Sequence, residues 1–157
     1  RNVKKANRNG YQFERIVFNS HLDDIGDIRR SATSRQGELP DAFLKKDVAP
    51  CDNPDSSSPL HDYPYFGVLK EGRLVAYMGV LIAGELAIIE HIYGHAEFQR
   101  DGVVPKMIVD TAGYLMKHHS GVKYYAYGSY YGASESLRRF KRKFKFLPYR
   151  VKWILGK

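Results

Sequence analysis

Apolar positions between residues 65 and 93 fall into three runs, 65–70, 73–82 and 85–93, parted by Glu71-Gly72 and Ala83-Gly84. Runs rich in Val, Ile, Leu and Tyr, joined by two-residue glycine turns, predict an antiparallel meander. The third run is apolar enough to lie inside a sheet rather than at its edge. Upstream, residues 11–18 alternate as a strand does. Leu22, Ile25 and Ile28 then recur at helical spacing. They predict a helix over residues 21–33, capped by Ser20, with Asp23 and Asp24 in the first turn where the helix dipole favours acids. Pro40 and Asp41 open a short second helix over 41–47, and the Pro- and Ser-rich stretch 48–63 reads as a long loop.

After the meander, Val104, Ile108, Ala112, Leu115 and Met116 line one face of a helix opened by Pro105 and closed by Gly121. A strand over residues 122–127 follows; a helix crosses between, so it is expected to run parallel to the strand over 85–93. Ser134 caps a last helix with Leu137, Phe140 and Phe144 facing inward, Pro148 ends it, and residues 149–155 form a final strand. The pattern is that of an α/β (α+β) fold: a mixed, mostly antiparallel sheet with helices on both faces. Residues 1–10 lack apolar periodicity and read as a basic N-terminal extension, leaving 11–157 as one domain.

Charge changes the picture through its layout. The formal net charge is +8, and thirteen of the 25 lysines and arginines lie in residues 1–10 and 137–157, which hold no acid. Such ends suit an anionic partner, a nucleic acid or an acidic glycan, at the basic C-terminal helix. No apolar run approaches the ~20 residues needed to span a bilayer. The single cysteine, Cys51, excludes an internal disulfide and a cysteine metal cluster, which fits a reducing, cytoplasmic setting.

The loop before the long helix carries the sharpest chemistry. Amides that open a helix have no intrahelical acceptor and sit at the positive end of its dipole, so a phosphate can dock on them. The residues Gln99-Arg100-Asp101-Gly102-Val103-Val104, led by His95-Ala96-Glu97-Phe98, resemble the acyl-CoA signature Gln/Arg-x-x-Gly-x-Gly/Ala of the GCN5-related N-acyltransferases, the GNAT superfamily. Val104 stands where that superfamily has a small residue. The segment from Phe140 to Phe146 is similar to its aromatic-Tyr-x-x-x-Gly-Phe segment, with Lys141 replacing the tyrosine and Lys145 the glycine. The element order over residues 11–155 is also similar.

The resemblance implies a sheet splayed between two parallel strands, with acetyl-CoA or another acyl-CoA as cosubstrate and an amine as acceptor. It implies that backbone groups near Ile92 and Gly94 pair with the pantetheine arm. Gln99, Gly102, Val103 and Val104 would hold the pyrophosphate.

Acyl transfer to nitrogen needs an unprotonated amine, a polarised carbonyl and a thiolate that regains a proton. Glu90, in an otherwise apolar strand, is the first candidate base, and His91, of opposite facing, is its rival. Tyr131 is the candidate acid, with Tyr130 and Lys141 as alternatives. His91 and His95 stand on a strand running into a loop and cannot converge on a metal, so none is expected. Arg29, Arg30 and Arg35 precede the region that shapes the acceptor cleft in the superfamily. The expected activity is direct N-acyl transfer in a ternary complex, without a covalent enzyme intermediate. An aminoacyl-tRNA-dependent transferase of the FemABX type, or an inactive nucleic-acid- or glycan-binding relative, is the alternative, and a homodimer is compatible with either.

Overall fold

The structure, a computed structural model, describes residues 2–32, 44, 47–52, 58, 60–150, 152 and 154. One mixed sheet runs through it in the order β1 (Gln12–Ile16), β3 (Tyr65–Lys70), β4 (Arg73–Ala83), β5 (Leu86–Gly94) and β6 (Tyr124–Tyr127), and the two-residue β2 (His61–Asp62) pairs with the far end of β4. Neighbours from β1 to β5 are antiparallel; β5 and β6 are parallel. Turn chemistry sets the meander: Glu71 and Gly72 both take positive φ, 52° and 81°, as tight hairpins require.

Helices cover both faces. On one side α2 (Leu22–Arg30) buries Ile25 and Ile28 against Leu74 and Tyr77, a burial worth about 2 kcal/mol per side chain. On the other, α3 (Val103–His118) buries Val103, Met107, Ile108 and Leu115 against Val75, Ala76, Met78, Val80 and Ile82. The last helix, α4 (Glu135–Lys143), is capped by Ser134, whose Oγ accepts the Leu137 N–H at 3.3 Å. No helix among the described residues is long and apolar enough to cross a membrane.

Several elements differ from the sequence expectation. The expected extension folds: Asn2–Arg8 form α1, whose Ala6 is wholly buried and whose Asn7 Oδ1 accepts the Lys106 ammonium of α3 at 2.7 Å. Two apolar side chains, Val3 and Ala6, are too little signal for periodicity to show. Ser20 does not cap α2; it lies in a 3-10 turn (Phe18–His21) that delays the helix, and His21 occupies the cap position. The long helix opens at Val103, two residues before Pro105. Tyr149, Arg150, Lys152 and Ile154 stand outside any strand, and the rest of the strand expected over 149–155 lies outside the described residues, as does most of the helix expected over 41–47.

Candidate active site

Two parallel strands part beside the start of α3. Pairing between β5 and β6 runs Leu86↔Tyr124, Ala87↔Tyr125, Ile88↔Ala126 and Ile89↔Tyr127, and then stops. Residues 90–94 continue β5 with β4 alone as strand neighbour among the described residues. The chain leaves β6 through Gly128, at φ 47°. Lys141 pins this exit: its Nζ, on a side chain 3% exposed, donates to Tyr127 O at 2.6 Å and Ser129 O at 2.8 Å. The ammonium also lies 4.6 Å from the Tyr127 ring centroid. Burial pushes the Lys141 pKa down from its ordinary value, and no carboxylate pairs with it among the described residues. Lys141 thus faces inward at the fork.

At the mouth of the fork, Gly102 takes φ 85° and links a 3-10 turn (Ala96–Asp101) to α3. Its own N–H donates to Gln99 O at 3.1 Å, so that amide is occupied by the turn. Val103 and Val104 are the first two residues of α3, and the opening amides of a helix have no intrahelical acceptor. Gln99 turns back to donate from Nε2 to Gly94 O at 3.2 Å, tying the turn to the end of β5. The bulk of Val104 is directed at Gly94: a Cβ on Gly94 would come within 2.8 Å of Val104 Cγ2. Its side chain fills the notch left by one glycine.

The α2 face of β5 collects the titratable groups. Glu90 is the extra residue of a bulge, since Gly79 pairs with His91 and Val80 with Ile89. The bulge cancels strict alternation. Glu90 and His91, expected on opposite faces, both approach Tyr65: the His91 and Tyr65 ring centroids are 5.5 Å apart, and the Glu90 charge helps raise the Tyr65 pKa after burial and the Cys51 thiol. Glu90 is exposed, and its carboxylate has no hydrogen-bond or ion-pair partner among the described residues. Tyr77 and Tyr93 flank the His91 ring at 5.9 and 6.2 Å. Burial, and secondarily the nearby Arg29 charge, hold the His91 pKa below its ordinary 6.5.

Arg29 Nε donates to Tyr77 OH at 2.9 Å and Arg30 bonds to Asp27 at 2.6 Å, while Arg35 lies outside the described residues. His95 Nδ1 accepts the Glu97 N–H at 3.3 Å, capping its own turn rather than facing His91. Tyr131 is 80% exposed and touches the Tyr130 ring at 5.7 Å. Lys141, an alternative acid on the sequence, is the buried one of the three candidates, on the stripe it shares with the inward-facing Phe140 and Phe144. The role of Tyr65, which holds Cys51 Sγ at 3.5 Å, left no mark in the sequence.

No protein-family model matches the chain, and no curated protein matches it. Solved structures do. An aminoglycoside acetyltransferase from an uncultured soil metagenomic sample, solved with sisomicin, superposes with TM-score 0.60 at 17% identity, covering 96% of this chain and 97% of that one. The ribosomal-protein-S18-alanine N-acetyltransferase of Escherichia coli gives 0.58 at 13% identity over 85% and 76% of the two chains. A transcriptional regulator from Bacillus halodurans C-125 gives 0.61 at 11% identity over 94% and 99%. The chain has the fold of the GCN5-related N-acetyltransferases.

Proposed function

We propose that this protein is an acyl-CoA-dependent N-acyltransferase, most simply an acetyltransferase, that passes the acyl group directly to an amine. One observation carries the reading: the edge of β5 that is unpaired beyond Ile89 ends at Gly94, against Val103 and Val104, whose amides open α3. A diphosphate satisfies such amides, and an extended amide-bearing arm satisfies a strand edge. The residues present therefore fit coenzyme A, whose thioester supplies an activated acyl group when bound. Two transferases among the structural neighbours support the reading at the level of the fold.

Roles follow from position. Val103 and Val104 N–H groups hold the diphosphate, with Gly102 shaping the turn between them and Gln99. Gln99 is a positioning residue, fixing Gly94, while Ile92 and Gly94 offer backbone to the arm. The exposed, unpaired Glu90 carboxylate takes the proton from an ammonium arriving over the α2 face, leaving the nitrogen lone pair free to attack the acyl carbon. His91, kept neutral by its lowered pKa, is the alternative base. As the C–S bond breaks, the thiolate needs a proton. Lys141, at the fork and with its pKa lowered by burial, is better placed to return it than the exposed Tyr131.

Titration with acetyl-CoA, followed by thermal shift and calorimetry, tests the reading. Saturable binding and a rise of several degrees in Tm are expected, followed by thiol release in the presence of a primary-amine panel. No shift at millimolar acetyl-CoA sinks it. The side chains of Arg142, Lys143 and Lys145 are exposed and have no ion-pair partner among the described residues, which favours an additional or alternative anionic partner such as RNA. RNA binding that weakens steeply with salt, without any response to acetyl-CoA, marks the inactive binding relative or the tRNA-dependent transferase instead.

A further inference from the structure

An aspartate stands at the threshold of the amide cradle. Asp101 immediately precedes Gly102, where a carboxylate opposes any phosphate that approaches. Both of its oxygens are engaged from the other direction. Lys5 of α1 lies 2.8 Å from Oδ1, and Tyr11 donates its OH to Oδ2 at 2.8 Å. Lys5 also donates to Arg100 O at 3.0 Å, so one ammonium bridges the backbone and side chain of the turn. Further along, α1 lies flush on the loop: a Cβ on Gly102 would meet Asn2 O at 2.7 Å.

We propose that α1 is part of the cofactor site: Lys5, with Tyr11, is a positioning residue that neutralises Asp101 and turns it away from the Val103 and Val104 amides, and so sets the affinity for a diphosphate-bearing ligand. The proposal rests on the reading of these amides as the diphosphate cradle. Its physical support is twofold. A half-exposed ion pair such as Lys5–Asp101, 44% and 27% exposed, contributes little to stability, so its effect falls on whatever charge comes next to it. The hydrogen bonds from Lys5 and then Tyr11 hold the Asp101 carboxyl below the usual range, while burial and then the Asp101 carboxylate push the Tyr11 pKa up to about 12. Asp101 is therefore ionised and Tyr11 a proton donor at any working pH. The charge is paired rather than removed, and losing Lys5 exposes it.

Affinities of acetyl-CoA and of S-acetylpantetheine, which lacks the phosphates, separate this from a structural role. Lys5→Met keeps the aliphatic stem and loses the charge. It is expected to weaken acetyl-CoA by about tenfold at low salt, with the loss shrinking toward twofold at 0.5 M salt. S-acetylpantetheine should stay within about twofold. Adding Asp101→Asn to Lys5→Met should restore acetyl-CoA to within about twofold of the wild type. Lys4→Met, an exposed cation on the same helix, controls for net charge and should change little. The proposal is overturned if Lys5→Met binds acetyl-CoA normally, if both ligands weaken equally, if Asp101→Asn gives no rescue, or if Lys4→Met loses as much. Wild-type protein that binds neither ligand overturns the cradle itself, and this inference with it.

Discussion

The imidazole of His91 lies over Gly79, its cross-strand partner: a Cβ at position 79 would stand 2.5 Å from His91 Cε1 and 2.6 Å from Nε2. The missing side chain on β4 is what lets the ring fold back into the Tyr65, Tyr77 and Tyr93 cluster. Gly79→Ala should drive the ring outward, raise the His91 pKa toward 6.5, and lower stability by ~1–2 kcal/mol through overpacking. NMR titration of the ring and urea unfolding read both. An unmoved pKa in a folded variant contradicts the seating.

The same group gives a pH signature. Above the unfolded-state value of 6.5 both states carry a neutral His91, and its contribution is fully present. As pH falls through 6.5 toward the lower native value, the unfolded chain takes up a proton that the native state resists. Stability is therefore lost on that descent. In His91→Gln the fall in unfolding free energy between pH 7.5 and 5 should be shallower than in the wild type. Equal slopes remove His91 as the titrating group.

Glu90→Gln removes the proposed base and little else, since the side chain has no partner among the described residues. The rate of thiol release at saturating acceptor should fall by about 10²-fold, the low end of general-base effects, with the acyl-CoA KM within about twofold. Steady-state kinetics separate the two constants. An unaltered kcat transfers the role to His91.

Lys145 closes α4 in a Schellman turn. Its N–H donates to Arg142 O at 3.0 Å, the Phe146 N–H donates to Lys141 O at 3.0 Å, and its φ is 64°. That position ordinarily belongs to glycine. Lys145→Gly should raise stability by about 0.5–1 kcal/mol by relieving the left-handed backbone. A lower unfolding midpoint in urea is the contrary result.

Lys141→Met should act twice. It leaves the Tyr127 and Ser129 carbonyls without their donor, at a cost of ~1–3 kcal/mol, and it takes the proposed proton source from the fork. Stability and kcat should both fall. A restored Tm on substituting arginine, with kcat still low, would separate anchoring from proton return; recovery of both would assign Lys141 to anchoring alone.

What the sequence revealed depended on how locally each feature is written. The meander was legible because Glu71-Gly72 and Ala83-Gly84 punctuate runs of strand-forming residues, and α3 because five apolar positions share a face. Parallel β6 followed from the crossing helix. The bulge at Glu90 was not legible: a one-residue register slip between β4 and β5 is a pairwise property, and alternation on a single strand assigns Glu90 and His91 to opposite faces. Nor was α1, whose single buried residue, Ala6, finds its partners in α3, and whose Lys5 finds Asp101 96 residues away. Val104 and Lys145 looked like defects in a motif. The fold absorbs each, the first in the notch at Gly94 and the second by tolerated backbone strain.

The short ladder between β5 and β6 also bears on dynamics. Four residue pairs hold β6 to β5, against six between β3 and β4 and eight between β4 and β5. The outer ladder is therefore the first to breathe, with an opening free energy below that of global unfolding. Amide deuterium uptake at Tyr125 and Tyr127 should be fast in the free protein beside the slowly exchanging Met78 and Val80. A ligand seated between the strands would bridge them, so protection gained at those two tyrosines would report occupancy from the edge of the molecule, without any label on the ligand.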